Sequence, residues 1–190
     1  LIDIQNNIKA QQSAGYRHWA TIENLKRIAE TSNFLTEHGI GSMEELTERC
    51  EAAAASVQRL RAQIQETSAQ LERLALVKKH TETYRRLKPV YDRYQASKDK
   101  EKFLRGYERE IILFEAAARE CKRLGAVPLP SAERMQAEMD ALTARRAALT
   151  AERQKARREE QDYAAVRRNV EEFLSPPRQA PARQKDMELE

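Results

Sequence analysis

The chain has 190 residues, with 34 Lys+Arg against 30 Asp+Glu for a net charge of +4, 41% hydrophobic residues and only 6% aromatics. This is too apolar for a disordered chain and too lean in bulky side chains for a thick globular core. An excess of Ala, Glu, Lys, Arg and Leu over 5 Gly and 6 Pro is the composition of long helices. No apolar run approaches the roughly 20 residues that cross a bilayer and no signal-peptide pattern opens the chain, so a soluble protein without a membrane partner is expected.

In chain order, residues 3–12 predict a first short helix, with Ile4 and Ile8 one turn apart, and Ser13-Ala14-Gly15 offers a turn. A second helix is predicted from about Tyr16 to Glu37. Trp19, Ile22, Leu25, Ile28, Ala29 and Leu35 recur there at helical spacing and are expected to form its apolar face. Gly39 suits the left-handed position after a helix end, and His38 sits near the negative end of the helix dipole. Ser42-Met43-Glu44-Glu45 reads as a capping box that opens the third helix.

The third helix carries the clearest signal. Leu46, Cys50, Ala53, Val57, Leu60, Ile64, Thr67, Leu71 and Leu74 follow an unbroken 4-3 spacing, one stripe on a helix in register with a partner. Beyond Leu74 the register slips to Val77, Tyr84, Leu87, Tyr91 and Tyr94. Pro89 lies inside this continuation and predicts a kink rather than a stop. A turn over residues 97–102 reverses the chain into a fourth helix with Leu104, Tyr107, Ile111, Phe114, Ala118 and Cys121 on its stripe. Residues 126–130 are extended, because each Pro moves its predecessor out of the helical region.

Ser131 caps a last helix reaching about Leu174. Its thinner stripe is Met135, Met139, Leu142, Leu149, Ala156, Tyr163 and Val170, interrupted by Arg146, Arg153, Glu160 and Arg167. The expected fold is therefore all-α: an elongated antiparallel helical hairpin or coiled-coil bundle with a short N-terminal helix pair. Four parts are expected: N-terminal helices over 1–41, a long helical hairpin with a basic tip over 42–130, a long C-terminal helix over 131–175, and a Pro-rich, polar, disordered tail over 176–190. The short connection pairs the third and fourth helices antiparallel. The stripes are closed either within the chain or by a second copy in a homodimer, and the last helix either packs on the hairpin or projects from it.

Charge is concentrated. Residues 1–76 carry 8 basic and 10 acidic side chains, residues 78–109 carry 11 and 5, and residues 145–168 carry 8 and 4. The hairpin tip gathers Arg85, Arg86, Lys88, Arg93, Lys98, Lys100, Lys102, Arg105 and Arg109 around Tyr84, Tyr91, Tyr94, Phe103 and Tyr107. These nine cations are the candidate DNA-binding residues. Basic heads neutralise phosphates and release counterions, while aromatic rings stack on unpaired bases. The competing reading places the tyrosines in the core, since they fall on the apolar stripes, and leaves the charges as a solvated face.

Catalytic signatures are absent: His18, His38 and His80 are scattered, with no H-E-x-x-H, Gly-rich phosphate loop or G-x-S-x-G. No catalytic residue, metal ligand or cofactor is assigned, and this part of the chain is not expected to be an enzyme. Cys50 and Cys121 form no C-x-x-C, lie on the apolar stripes as core thiols, and fit a reducing cytoplasm.

The segments LIDIQNNIKAQQSAGYRHWATIENLKRIAETSNFLTEHGI, RRLKPVYDRYQASKDKEKFLRGYEREIILFEAAARE and GAVPLPSAERMQAEMDALTARRAALTAERQKARREEQDY resemble, in pattern and order, the C-terminal helical region of relaxase/mobilisation nucleases of conjugative and mobilisable elements. Such proteins nick one DNA strand with a tyrosine nucleophile and a His-bound metal in an N-terminal domain. None of those motifs has a counterpart here. The resemblance implies a cytoplasmic bacterial protein and a non-catalytic accessory region that contacts DNA at a transfer origin. Alternatively, the region is a coiled-coil scaffold that dimerises the relaxase, or docks it to relaxosome proteins or a coupling ATPase. A generic cytoskeletal or chromosome-associated coiled coil is a third reading.

Overall fold

The computed structural model describes residues 1–175, so the expected tail over 176–190 lies outside the described residues. Every regular element among them is helical: α1 (Ile8–Gln12), α2 (Ala14–Glu37), α3 (Met43–Ala96), α4 (Lys100–Arg123) and α5 (Ala132–Leu174). The all-α class is thus observed. By their contacts the described residues form two compact units, Leu1–Val57 with the described part of Lys155–Glu190, and Gln58–Gln154, with α3 and α5 contributing to both.

Side-chain caps set the helix ends. The first helix is shorter than expected because Asn7 accepts from the Lys9 and Ala10 amides, while Asn6 donates its backbone N–H to Asp3, turning residues 3–6 away from helix. Ser13 caps α2 by accepting from the Tyr16 amide, so α2 starts two residues before Tyr16. Gly39 takes φ +62 at its far end, and the Ile40 N–H returns to the Leu35 carbonyl. The capping box of α3 is present: the Glu45 amide donates to Ser42 Oγ at 3.1 Å. The Glu45 carboxylate accepts from the Gly41 N–H at 2.7 Å, one residue earlier than the pattern expects.

In the unit formed by Leu1–Val57 and the described part of Lys155–Glu190, the core joins the start of α3 to the end of α5. Leu46, Ala53, Tyr163 and Val166 are buried together, with Phe34, Leu35, Ile40, Met43, Cys50 and Val170 packed around them. Tyr163 meets Phe34 edge-on at 5.3 Å. The apolar face expected on α2 is corrected here. Trp19, Ile22, Leu25 and Ile28 are 51%, 51%, 61% and 42% exposed, and the buried residues of α2 are Ala20 and Thr31.

A polar clamp explains this reversal. Arg27 donates to Asn169 Oδ1 at 2.5 Å, Asn169 Nδ2 donates to Thr31 Oγ1 at 3.0 Å, and the Thr31 hydroxyl donates to the Arg27 carbonyl. With these polar groups paired, α2 meets α5 through Arg27, Thr31 and Phe34, and Trp19, Ile22, Leu25 and Ile28 are left outside.

In the Gln58–Gln154 unit, α3 is the spine. Tyr84 lies on Phe114 and Tyr94 on Phe103, so α4 runs antiparallel to α3 as expected. After residues 124–131, α5 also returns along α3. Val77, Cys121, Ala126 and Met135 form one buried cluster, and Arg73 and Arg85 donate to the Leu124 and Pro130 carbonyls to hold the connection down. The last helix therefore packs on α3, and α3's stripe in this unit is covered from within the chain.

Three register details are corrected. The slip after Leu74 is bridged by Thr81, wholly buried, whose hydroxyl donates to the Val77 carbonyl at 2.9 Å and touches Met135 Sδ. On α4 the buried position is Ala117 rather than Ala118. Tyr107 lies outside the stripe, because the backbone after Gly106 leaves helical geometry there (φ −136, ψ 22). On α5, Leu149 is buried but Arg146 is exposed, so the stripe is broken as its composition suggests.

Helix α3 runs through Pro89, which is exposed. Proline inside a helix removes one N–H bond and crowds the carbonyl four residues back. Pro89→Ala is therefore expected to stabilise the protein by about 1–3 kcal/mol, read as a rise in the urea midpoint.

Candidate nucleic-acid interface

The basic tip is built by the end of α3, a short turn and the start of α4. The Ser97 N–H donates to the Tyr94 carbonyl and the Ser97 hydroxyl to the Asp99 carbonyl at 3.0 Å. Asp99 then caps α4 by accepting from the Lys102 amide at 3.0 Å. The turn is thus closed by side chains of its own sequence, and it sets eight of the nine cations on two antiparallel helices and Lys98 on the turn itself.

The aromatics between those cations pack on one another. Tyr91 stacks on Phe114 at 4.2 Å and 23°, Tyr84 on the same ring at 4.7 Å, and Tyr91 lies 6.0 Å from Tyr94. Tyr94 contacts Phe103 at 6.1 Å, which stacks on Tyr107 at 4.8 Å and 28°. Each such pair adds about 0.5–1.5 kcal/mol beyond the area it buries. Tyr84, Tyr91, Tyr94 and Phe103 are half-buried in this row, so the three stripe tyrosines among them are partly, not fully, interior. Tyr107 is 39% exposed, and its ring is nonetheless in contact with Phe103 and with Arg93, whose guanidinium carbon lies 5.7 Å from the ring centre.

The nine predicted cations divide into two groups. Arg85 donates to the Pro130 carbonyl, Lys88 is bonded to both Asp92 carboxylate oxygens at 2.8 and 2.9 Å, Arg93 covers Tyr107, and Lys100 Nζ lies 5.5 Å from the Tyr94 ring centre. The hydrogen bond to Asp92 raises Lys88 above the ordinary lysine range, so it stays charged. The other five, Arg86, Lys98, Lys102, Arg105 and Arg109, are exposed, and among the described residues none makes an ion pair, hydrogen bond or ring contact through its side chain. Lys78, inside the same basic window, donates to Gln136 Oε1 at 2.8 Å. Its use as a tie between α3 and α5 follows from a partner 58 positions away, which composition does not reveal.

Among the described residues no group of three or more His, Cys, Asp or Glu is placed to hold a metal, and no helix is long and apolar enough to cross a membrane. Cys121 is buried and Cys50 half-buried, in separate units. Burial pushes both thiols above their ordinary 9.0, partly offset at Cys50 by Arg167 and at Cys121 by Arg85. Both are therefore expected to resist iodoacetamide at pH 7–8 and to react only on unfolding, as mass spectrometry would read. Because folding raises these pKa values, their contribution is complete below pH 9 and is lost as the pH climbs through the folded values.

No protein-family model, curated protein or solved structure matches the chain.

Proposed function

We propose that this chain is the non-catalytic accessory region of a conjugative DNA relaxase, in the bacterial cytoplasm, holding DNA near a transfer origin through the end of the α3–α4 hairpin. One observation carries the reading: five cations of the α3–α4 hairpin, Arg86, Lys98, Lys102, Arg105 and Arg109, are exposed and have no partner among the described residues. Solvated cations on a rigid hairpin lose little on docking to phosphates and gain from released counterions. The order of the three segments that resemble the relaxase C-terminal region supplies the context.

The test is a salt-dependent mobility shift of the full chain on transfer-origin DNA. Replacing the five free cations with Gln should abolish the shift, while Lys88→Gln, whose charge is already paired with Asp92, should change it little. A shift that survives the fivefold replacement removes the reading.

A second reading is a docking scaffold for relaxosome proteins or a coupling ATPase, or a homodimer. It is favoured by Trp19, Ile22, Leu25 and Ile28, four large apolar side chains left exposed along α2, since exposed apolar surface marks interaction sites. A chain that ignores DNA yet sediments as a dimer, and becomes a monomer on Leu25→Glu, would favour this reading over the first.

A further inference from the structure

The proposal of DNA contact leaves open which form of nucleic acid the hairpin end takes, and the packing of the tip bears on this directly. Single-strand binding proteins combine cations with aromatic faces on which unpaired bases stack. Here the rings face each other: Phe114 is shared by Tyr84 and Tyr91, Phe103 lies on Tyr107, and Arg93 and Lys100 cover Tyr107 and Tyr94. A base stacking on Phe114 or Phe103 would displace a ring already in place, and one entering beside Tyr107 or Tyr94 would compete with Arg93 or Lys100. The tip groups left without any partner among the described residues are charges. Lys102 and Arg105 lie three residues apart on α4, Arg109 follows beyond the break in helical geometry at Tyr107, and Arg86 and Lys98 stand on α3 and on the turn.

A surface that offers charge and no stacking discriminates by charge density. Duplex DNA presents one phosphate charge per roughly 1.7 Å of axis on a stiff rod, more than a single strand does. Base edges are read bidentately by Arg on guanine and by Asn or Gln on adenine, but Arg86, Arg105 and Arg109 have no partner among the described residues that would fix a guanidinium in a reading orientation. Between Arg86 and Arg109 the one amide side chain is Gln95.

Resting on the DNA-contact reading above, we infer that the α3–α4 end is a duplex clamp. It grips the sugar–phosphate backbone through Arg86, Lys98, Lys102, Arg105 and Arg109, reads no sequence, and does not take up the displaced single strand.

Fluorescence anisotropy of the full chain with labelled 20-nucleotide duplexes of two unrelated sequences, and with each single strand, tests this over 50–200 mM salt. Both duplexes should bind equally and more tightly than either strand. Five phosphate contacts give a log–log salt slope of about −4.5 on duplex, or roughly a 500-fold loss across that range. Lys102→Gln, Arg105→Gln and Arg109→Gln together should bring the slope to about −1.8. Tyr107→Leu, at an exposed ring, should leave binding within twofold, with circular dichroism confirming that each variant stays helical. Tighter binding of single strand, with a loss of tenfold or more in Tyr107→Leu, overturns the clamp while leaving DNA contact standing. A preference above tenfold between the two duplexes overturns it as well. No binding to any of the four probes takes down the DNA reading and the clamp with it.

Discussion

Tyr163→Ala is expected to destabilise the unit formed by Leu1–Val57 and the end of α5 by about 3–5 kcal/mol, the range for emptying a buried aromatic site. Tyr163 is buried against Leu46, Ala53 and Val166, and its ring meets Phe34 and His38 edge-on at 5.3 and 5.6 Å. Removing it opens a void bounded by three helices, since Phe34 lies on α2, Leu46 and Ala53 on α3, and Val166 on α5. Small Ala53 cannot fill that space. Tyr163→Phe keeps the ring contacts and should cost far less. Urea unfolding followed by the near-ultraviolet signal of Trp19 and the tyrosines checks both. Equal losses for Ala and Phe would mean that the hydroxyl, not the ring, holds the site.

Met135→Ala is the corresponding experiment in the Gln58–Gln154 unit, with an expected loss of about 2–5 kcal/mol. Met135 is among the most completely buried side chains, where α3, α4 and the connection to α5 converge on Val77, Cys121 and Ala126. Its sulfur lies 3.8 Å from the Thr81 hydroxyl, which is otherwise satisfied by the Val77 and Lys78 carbonyls at 2.9 Å. The loss is therefore packing rather than hydrogen bonding, and Met135→Leu, of similar volume, should recover most of it. Faster labelling of Cys121 in Met135→Ala would report the opened cluster directly. Unchanged labelling together with an unchanged urea midpoint would contradict the packing described.

These two sites also show how far the sequence could be read. The 4-3 row from Leu46 to Leu74 faces inward throughout, because the row needs only one repeated spacing and large side chains to be visible. Thr81 escaped notice because a threonine whose hydroxyl bonds its own helix is apolar in effect but not in a hydrophobicity pattern. The error on α2 has another origin. Spacing shows that Trp19, Ile22, Leu25 and Ile28 recur at helical intervals, but not whether anything lies opposite them. The face that docks is chosen by Arg27, Thr31 and Asn169, the last 138 positions from Thr31.

At the tip, all nine cations and five of the aromatics are legible in the sequence, whereas Phe114, shared by Tyr84 and Tyr91, is legible only as part of the α4 stripe. Only coordinates separate Arg85, Lys88, Arg93 and Lys100, already engaged, from the five that are free. Spacing does not separate them: Lys88 and Asp92, Glu82 and Arg86, and Glu101 and Arg105 are each opposite charges four apart, and among the described residues only the first of these pairs forms.

The joining of α3 to two later helices sets the order in which a newly made chain can bury its stripe. Val77 and Cys121 are 44 positions apart, whereas Leu46 and Val166 are 120 apart, and closing the longer loop costs about 0.9 kcal/mol more. The difference in time is greater than the difference in energy. At roughly 5–20 residues per second of synthesis, Leu46 leaves the ribosome about 6–24 s before Val166 exists to cover it. During that interval the first turns of α3 have only earlier residues, Phe34, Leu35 and Ile40 among them, to pack against.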